Sequence, residues 1–204
     1  MQTFNPFGLQ PVNSPQGPGV RPGNNAGSIA SGAAFNVFMN APVQIDAATP
    51  SSNLILSTAL GAAGAGAAAN RIIGSFQGVE FTLTATGRRT VSNFWPSGTV
   101  ATQITAWYTR DPWLTYKIQA NGSIPATALG AQVSLTTNGS ANGNTTTGFS
   151  TVGVESSTGF TQSSTNQLRI VGFDLDPNNS PGDPFTIVQV QISMHQDVAN
   201  QVAY

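Results

Sequence analysis

The sequence predicts an all-β protein, with a β-barrel or β-sandwich (jelly-roll-like) body and an extended N-terminal arm. Three observations predict this class. Residues 79–84, 114–119 and 188–195 alternate apolar and polar side chains, and period-two alternation is typical of strands with one buried face. Helix signals are weak, because three glycines interrupt the Ala-rich residues 58–70. Residues 1–27 are dense in proline and glycine, which disfavours helices and sheet interiors.

Residues 1–27 are interpreted as the extended arm. The segment contains five prolines and five glycines, and a fully extended chain of this length reaches about 80–90 Å. An arm of that length can cross onto a neighbouring molecule. Its apolar side chains are the proposed interface contacts: Phe4, Phe7, Leu9 and Val12. A frayed terminus is the alternative interpretation.

Residues 28–204 are predicted to form the β-rich body. Threonine and valine enrichment supports strands beyond the three alternating segments. These further strands are expected at 35–39, 53–59, 71–74, 100–109, 131–136 and 167–173. Surface loops are expected near 61–70 and at 137–150, where two Asn-Gly dipeptides favour tight turns. The C-terminal residues 195–204 could form one or two helical turns.

The chain is unusually poor in ionised side chains. Lys and Arg number 7 and Asp and Glu number 8, together 7% of residues, against about 25% in ordinary soluble domains. With a net charge of −1, little electrostatic repulsion keeps copies of the protein apart. The composition therefore favours a homo-oligomer. A closed threefold arrangement would also hide the edges of the sheets.

Composition also argues against several classes of function. Seven basic residues spread along the chain form no phosphate-binding patch, which argues against nucleic-acid binding. No apolar stretch approaches the roughly 20 residues of a membrane-spanning helix. The first residues lack a basic region followed by an apolar one, so we expect synthesis in a cytoplasm without export through a signal peptide. The absence of cysteine excludes disulfides and thiolate chemistry.

No residue pattern indicates catalysis, a metal ion or a cofactor. The parity of the last strand places His195, the sole histidine, on its polar face, where a surface or interface role is expected. One histidine without cysteine does not make an ordinary zinc site. The segment 174–183 is rich in Asp and Asn, but it lacks the Gly and Glu of an EF-hand calcium loop. Turns in which Asp and Asn side chains bond nearby backbone are the favoured interpretation.

Aromatic residues are concentrated in one 22-residue stretch. Its members are Trp95, Trp107, Tyr108, Trp113 and Tyr116. Such rings can stack on sugars, but more often they fill a core or a subunit interface. The parity of Trp113 turns it away from the core. Trp113 is therefore a proposed interface residue. Trp95 is proposed as another, as a large ring of the same stretch.

Four segments of the chain resemble small virion proteins of tailed bacteriophages. They are NPFGLQPV at 5–12, IIGSFQGVEF at 72–81 followed by Trp95-Pro96, QLRIVGFDLDPNNSPGD at 167–183 and VQVQISMHQ at 188–196. The resemblance is to the capsid decoration, or cement, proteins. It implies a β-rich trimer on the outside of the virion shell, bound to the major capsid protein and clamped by an N-terminal arm.

Two other functions compete with this expectation. One is a receptor- or glycan-binding module of a head fibre or tail, which would use Trp113 and neighbouring rings. The other is a small glycosidase or esterase built from the scattered acids and His195, which would have to meet in space. Nothing in the flanking residues singles out a pair of these acids, so we expect no enzyme.

Overall fold

The structure, a computed structural model, describes residues 3–13, 24–46, 53–56, 71–136, 143–157, 159–160 and 166–198. In this part of the chain all regular elements are strands, apart from one 3-10 turn at Ala126–Ala128. The prediction of an all-β protein is confirmed. The named strands pair in antiparallel sheets, which is consistent with a β-sandwich.

In chain order the strands are β1 (Gln10–Asn13), β2 (Asn24–Gly27), β3 (Val37–Phe38), β4 (Pro42–Ile45), β5 (Leu54–Leu56), β6 (Gly74–Leu83), β7 (Arg89–Ser92), β8 (Phe94–Trp95), β9 (Ala101–Thr109), β10 (Thr115–Gln119), β11 (Gln132–Val133), β12 (Leu168–Phe173) and β13 (Ile187–Ile192). One sheet has the order β1-β10-β13-β12-β11. A second has the order β2-β9-β6-β4-β5, with β7 also paired to β6, and β3 pairs with β8. The strands predicted from alternation correspond to β6, β10 and β13.

Each large sheet covers its own hydrophobic core. The first core lies under the five-stranded sheet, and the alternation of β13 places Val188 and Val190 in it. The second lies under the six-stranded sheet and includes Phe76 and Val79 of β6. The two cores meet where Ile72 belongs to the first and Ile73 to the second. Successive side chains of an extended chain point to opposite faces, so one segment serves both cores.

Isolated bridges between residues that flank the strands connect separate parts of each large sheet. Ser28, after β2, bridges Asn53, before β5, and the N–H of Leu54 donates to the carbonyl of Ser28 at 2.7 Å. In the other sheet, Val154 bridges both Ala120 and Leu135. These bridges bring the outer parts of each sheet toward one another, as in a partly closed barrel.

The N-terminal segment differs from the predicted projecting arm in both of its described parts. Strand β1 pairs with β10 and strand β2 pairs with β9, so both parts lie on sheets of their own chain. Leu9 is buried in the first core. Both strands lie at the edges of their sheets, and Pro11 of β1 is at such an edge, where proline is tolerated.

A buried polar network joins the two sheets between the cores. The hydroxyls of Thr109 and Tyr116 lie 2.8 Å apart, and the N–H of Ser75 donates to Thr109 Oγ1 at 2.9 Å. Burial raises the pKa of the Tyr116 hydroxyl, which keeps it neutral. Gly74 allows the start of β6 to lie close to the end of β9, because a Cβ atom at this position would lie 1.8 Å from the carbonyl oxygen of Thr109.

Of the two predicted surface loops, the one near 61–70 lies outside the described residues, as does 137–142 of the other. Residues 143–150 form a tight turn in which the N–H of Gly148 donates to the carbonyl of Asn144 at 2.7 Å. The turn then hydrogen-bonds along Met39, after β3. The predicted C-terminal helical turns fall mostly outside the described residues; 195–198 form a turn.

Candidate functional site

Two of the six predicted interface residues are corrected, because they fill the cores of their own chain. Leu9 and Trp95 both have an exposed fraction of 0%. The Trp95 ring packs edge-on against Phe81, with ring centroids 5.2 Å apart. Neither side chain offers surface to a neighbour. Phe7 and Val12 are half-buried.

Phe4 is held at the surface by a clamp on its backbone. The side chain of Gln119 donates to the carbonyl of Thr3 at 3.0 Å and accepts from the N–H of Asn5 at 2.7 Å. The Phe4 ring lies 5.5 Å from the ring of Phe185 and keeps 41% of its surface exposed. Of the predicted arm contacts, Phe4 is therefore the one most available to another molecule.

Trp113 stands on the outside of the five-stranded sheet, as its parity predicted. Its exposed fraction is 64%. The carboxylate of Asp111 accepts from the backbone N–H of Trp113 at 2.9 Å, and the amide of Gln191 donates to its carbonyl at 3.1 Å. Because both backbone groups of Trp113 are bonded, the turn that carries the ring is well fixed.

Several large apolar side chains that the sequence analysis did not single out face solvent. They are Val91, Val100, Leu129, Phe149, Val171 and Leu175. Val171 is exposed because β12 has a bulge there: Ile170 pairs with Val190 and Gly172 pairs with Gln189, which leaves Val171 as the extra residue. A glycine inside a strand pattern, here Gly172, is the sequence signal that indicates such a bulge.

Three of these side chains, Leu129, Val171 and Leu175, lie around the end of β12, and we call them the apolar patch. The N–H of Gly130 donates to the carbonyl of Ile170 at 2.9 Å, which brings Leu129 beside the bulge at Val171. Leu175 follows the end of the same strand and is 92% exposed. The patch lies at the β11–β12 end of the five-stranded sheet.

The turn after β12 presents Leu175 on a braced backbone. The buried side chain of Asn179 donates to the carbonyls of Asp174 and Ile187, at 3.0 and 2.8 Å, and accepts from the N–H of Ile187 at 2.8 Å. The carboxylate of Asp176 accepts from the N–H of Asn178 at 2.8 Å. The predicted turn with side chains bonded to nearby backbone is confirmed.

Of the fifteen Lys, Arg, Asp and Glu side chains of the sequence, six form ion pairs in the part of the chain that the structure describes. The ion pairs are Arg89 with Glu80, Arg110 with Asp197 at 2.7 Å and Lys117 with Asp174 at 2.6 Å. Burial alone would raise the pKa of Glu155, but hydrogen bonds from Asn121 and Ser157 outweigh it and lower the pKa. Charged side chains are thus few on the described surface, while large apolar side chains are exposed on it.

Comparison of the chain with family models, curated proteins and solved structures finds no match. Among the described residues, no three His, Asp or Glu side chains are grouped so that they could hold a metal ion. No helix in the same part of the chain is long and apolar enough to cross a membrane.

The prediction of a surface position for His195 is wrong. Its exposed fraction is 1%. Strand β13 ends at Ile192, and His195 instead forms a bridge with Ile72. The sequence prediction extended the alternation of β13 three residues past its end, and this assigned His195 to the wrong face. The N–H of Asp197 donates to His195 Nδ1 at 3.2 Å, so that nitrogen serves as an acceptor in the neutral ring.

Burial lowers the pKa of His195, against the opposing effect of the Asp197 charge, and this predicts a pH dependence of stability. Below a pH of about 6.5, His195 is protonated in the unfolded chain but stays neutral to lower pH in the folded protein. The free energy of unfolding should therefore fall as pH drops below that value, by at most about 1.4 kcal/mol per pH unit. Urea unfolding at pH 7.5, 6.5 and 5.5 measures it.

The matched control is His195→Gln, which removes the only histidine of the chain. Carboxylates contribute equally to both proteins, so the difference between their pH profiles isolates His195. A wild-type profile that runs parallel to that of the variant over this range would contradict the prediction.

Proposed function

We propose that this protein is a capsid decoration protein of a tailed bacteriophage. It binds the outside of the major capsid protein shell as a homo-oligomer, most simply a trimer, and stabilises the shell through many modest contacts acting together. Its role is mechanical, and no residue is assigned to catalysis. The resemblance of the four sequence segments supports the viral setting.

The observation that carries this proposal is the composition of the described surface, which has few charged side chains and exposes large apolar ones. Charged side chains, which normally keep proteins soluble and apart, are few, and six of them form ion pairs with one another. Large apolar side chains, with Leu175 the most exposed, face outward instead. A surface of this kind is suited to being covered by neighbours.

The apolar patch is the best candidate for the contact with the shell. Leu175 projects from a turn that Asn179 braces, so little conformational entropy is lost when a neighbour covers it. Leu129 and Val171 extend the patch along the edge of the sheet. Phe4, clamped by Gln119, is a second contact and retains the proposed role of the N-terminal segment.

The test is co-sedimentation of the protein with shells of the major capsid protein, with the oligomeric mass measured in solution. Leu175→Asp should weaken shell binding at least about tenfold, since it places a charge at the centre of a desolvated contact. Val91→Asp is the matched control, because Val91 is also largely exposed but lies on β7 of the other sheet.

Equal binding by wild type and Leu175→Asp would remove the patch from the interface. A protein that stays monomeric and does not sediment with shells would overturn the proposed function itself. Both variants change exposed side chains, so their folding is expected to match wild type by circular dichroism.

A further inference from the structure

A row of polar side chains ending in Trp113 crosses the outer face of the five-stranded sheet. Gln132 is directly opposite Arg169 on β11 and β12, and Arg169 is directly opposite Gln191 on β12 and β13. The amide of Gln191 donates to the carbonyl of Trp113. Directly opposite side chains on neighbouring strands are about 5 Å apart, so the first three residues form one row, and the hydrogen bond from Gln191 connects the backbone of Trp113 to its end. We call these four residues the strip.

Arg169 gives this strip a positive charge. Its side chain is exposed, and its Nε donates to the carbonyl of Gly130 at 3.2 Å. Among the described residues no carboxylate forms an ion pair with it. Lys117, on the same face, is neutralised by Asp174. The strip therefore complements an anionic group, and a guanidinium matches the planar geometry of a carboxylate.

The rest of the strip suits a sugar. The exposed Trp113 ring offers a large flat surface to the C–H face of a pyranose. The amide nitrogen of Gln191 donates to the carbonyl of Trp113, and an amide oxygen accepts hydrogen bonds of the kind that sugar hydroxyls donate. An acidic peptide would match Arg169 but would not use the ring and this amide oxygen together.

We propose that this strip binds a saccharide that carries a carboxylate. The carboxylate pairs with Arg169, and another sugar ring of the same chain stacks on Trp113. The backbones of β12 and of the segment leading into β10 are two strand spacings apart, about 10 Å, and the Arg169 side chain reaches away from β10 toward Gly130. That span suits an oligosaccharide of about three units.

The strip begins beside the apolar patch, because Arg169 Nε donates to the carbonyl of Gly130, the residue after Leu129. Strands β10 and β12 both run antiparallel to β13, so Trp113, before β10, and Leu175, after β12, lie at opposite ends of the sheet. The Trp113 end of the strip is therefore remote from Leu175, the most exposed side chain of the proposed shell contact.

The experiment is isothermal titration calorimetry of the full chain with 3′-sialyllactose and trigalacturonate. Lactose and the methyl ester of trigalacturonate are the neutral counterparts. We expect the acidic sugars to bind at least about tenfold more tightly than the neutral ones, because a charge-assisted bond to Arg169 is lost in the latter. Arg169→Gln should remove that preference, and Trp113→Ala should weaken all binding at least about tenfold.

The control is Arg88→Gln, which removes an exposed arginine from the loop between β6 and β7. It should leave sugar affinity unchanged. Absence of binding at millimolar sugar, equal affinity for acidic and neutral sugars, or insensitivity to both strip variants would each overturn the inference. Loss of shell co-sedimentation in the strip variants, without any sugar binding, would instead identify the strip as a lattice contact.

Discussion

Replacement of Trp95 by alanine is expected to lower the free energy of unfolding by about 3–5 kcal/mol, the range for large aromatic side chains removed from cores. The ring is fully buried and packs against Phe81 in the second core. Its strand β8 pairs with β3, and both strands contact β6, so the cavity would open between this two-stranded sheet and the six-stranded one. Chemical denaturation followed by circular dichroism measures the change.

Trp113→Ala is the matched comparison, since it removes the same side chain from an exposed position. We expect it to change the free energy of unfolding by no more than about 0.5 kcal/mol. Similar losses in the two variants would contradict the assignment of one tryptophan to the core and the other to the surface.

Replacement of Asn179 by alanine is expected to lower the free energy of unfolding by about 2–4 kcal/mol, because the partly buried N–H of Ile187 and carbonyl of Asp174 lose this partner, and the carbonyl of Ile187 keeps only the N–H of Asp174. The side chain satisfies the N–H and carbonyl of Ile187 and the carbonyl of Asp174. The same variant should loosen the turn that presents Leu175. Hydrogen exchange at Ile187 reports the local effect, and denaturant unfolding reports the global one.

Asn178→Ala provides the control, because Asn178 is exposed in the same turn and only its backbone N–H is seen bonded. Its substitution should alter stability by less than about 0.5 kcal/mol. An Asn179→Ala protein as stable as Asn178→Ala would show that the buried amide does not brace the turn.

Long alternating strands were predicted together with their buried faces, whereas short strands were predicted only in part. Strands β6, β10 and β13 alternate over several residues, so the pattern indicated which face each one buries. Of the two-residue strands, β3 and β11 lie inside the predicted strands 35–39 and 131–136, but β8 was not predicted, because two residues are too few to show a period. Pro11 was part of the evidence for a projecting arm, but it lies in β1, an edge strand of the five-stranded sheet. Only the pairing of β1 with β10 shows this.

Part of the candidate site followed from sequence and part did not. The outward direction of Trp113 was predicted from the parity of β10, but its neighbours on the face were not. Arg169 and Gln191 come together through pairing of β12 with β13, and no local pattern indicates which residues will be opposite. The apolar patch depends on a bulge and a turn, which alter side-chain direction without changing hydrophobicity.

By itself, the sequence determined that this is a strand-built protein with almost no net charge, because both properties are local or additive. The tertiary structure decided which apolar residues are covered. Leu9 is buried and Leu175 is exposed, Trp95 is buried and Trp113 is exposed, although each pair has the same chemistry. Burial depends on what distant segments pack on a side chain, and that is settled only when the sheets assemble.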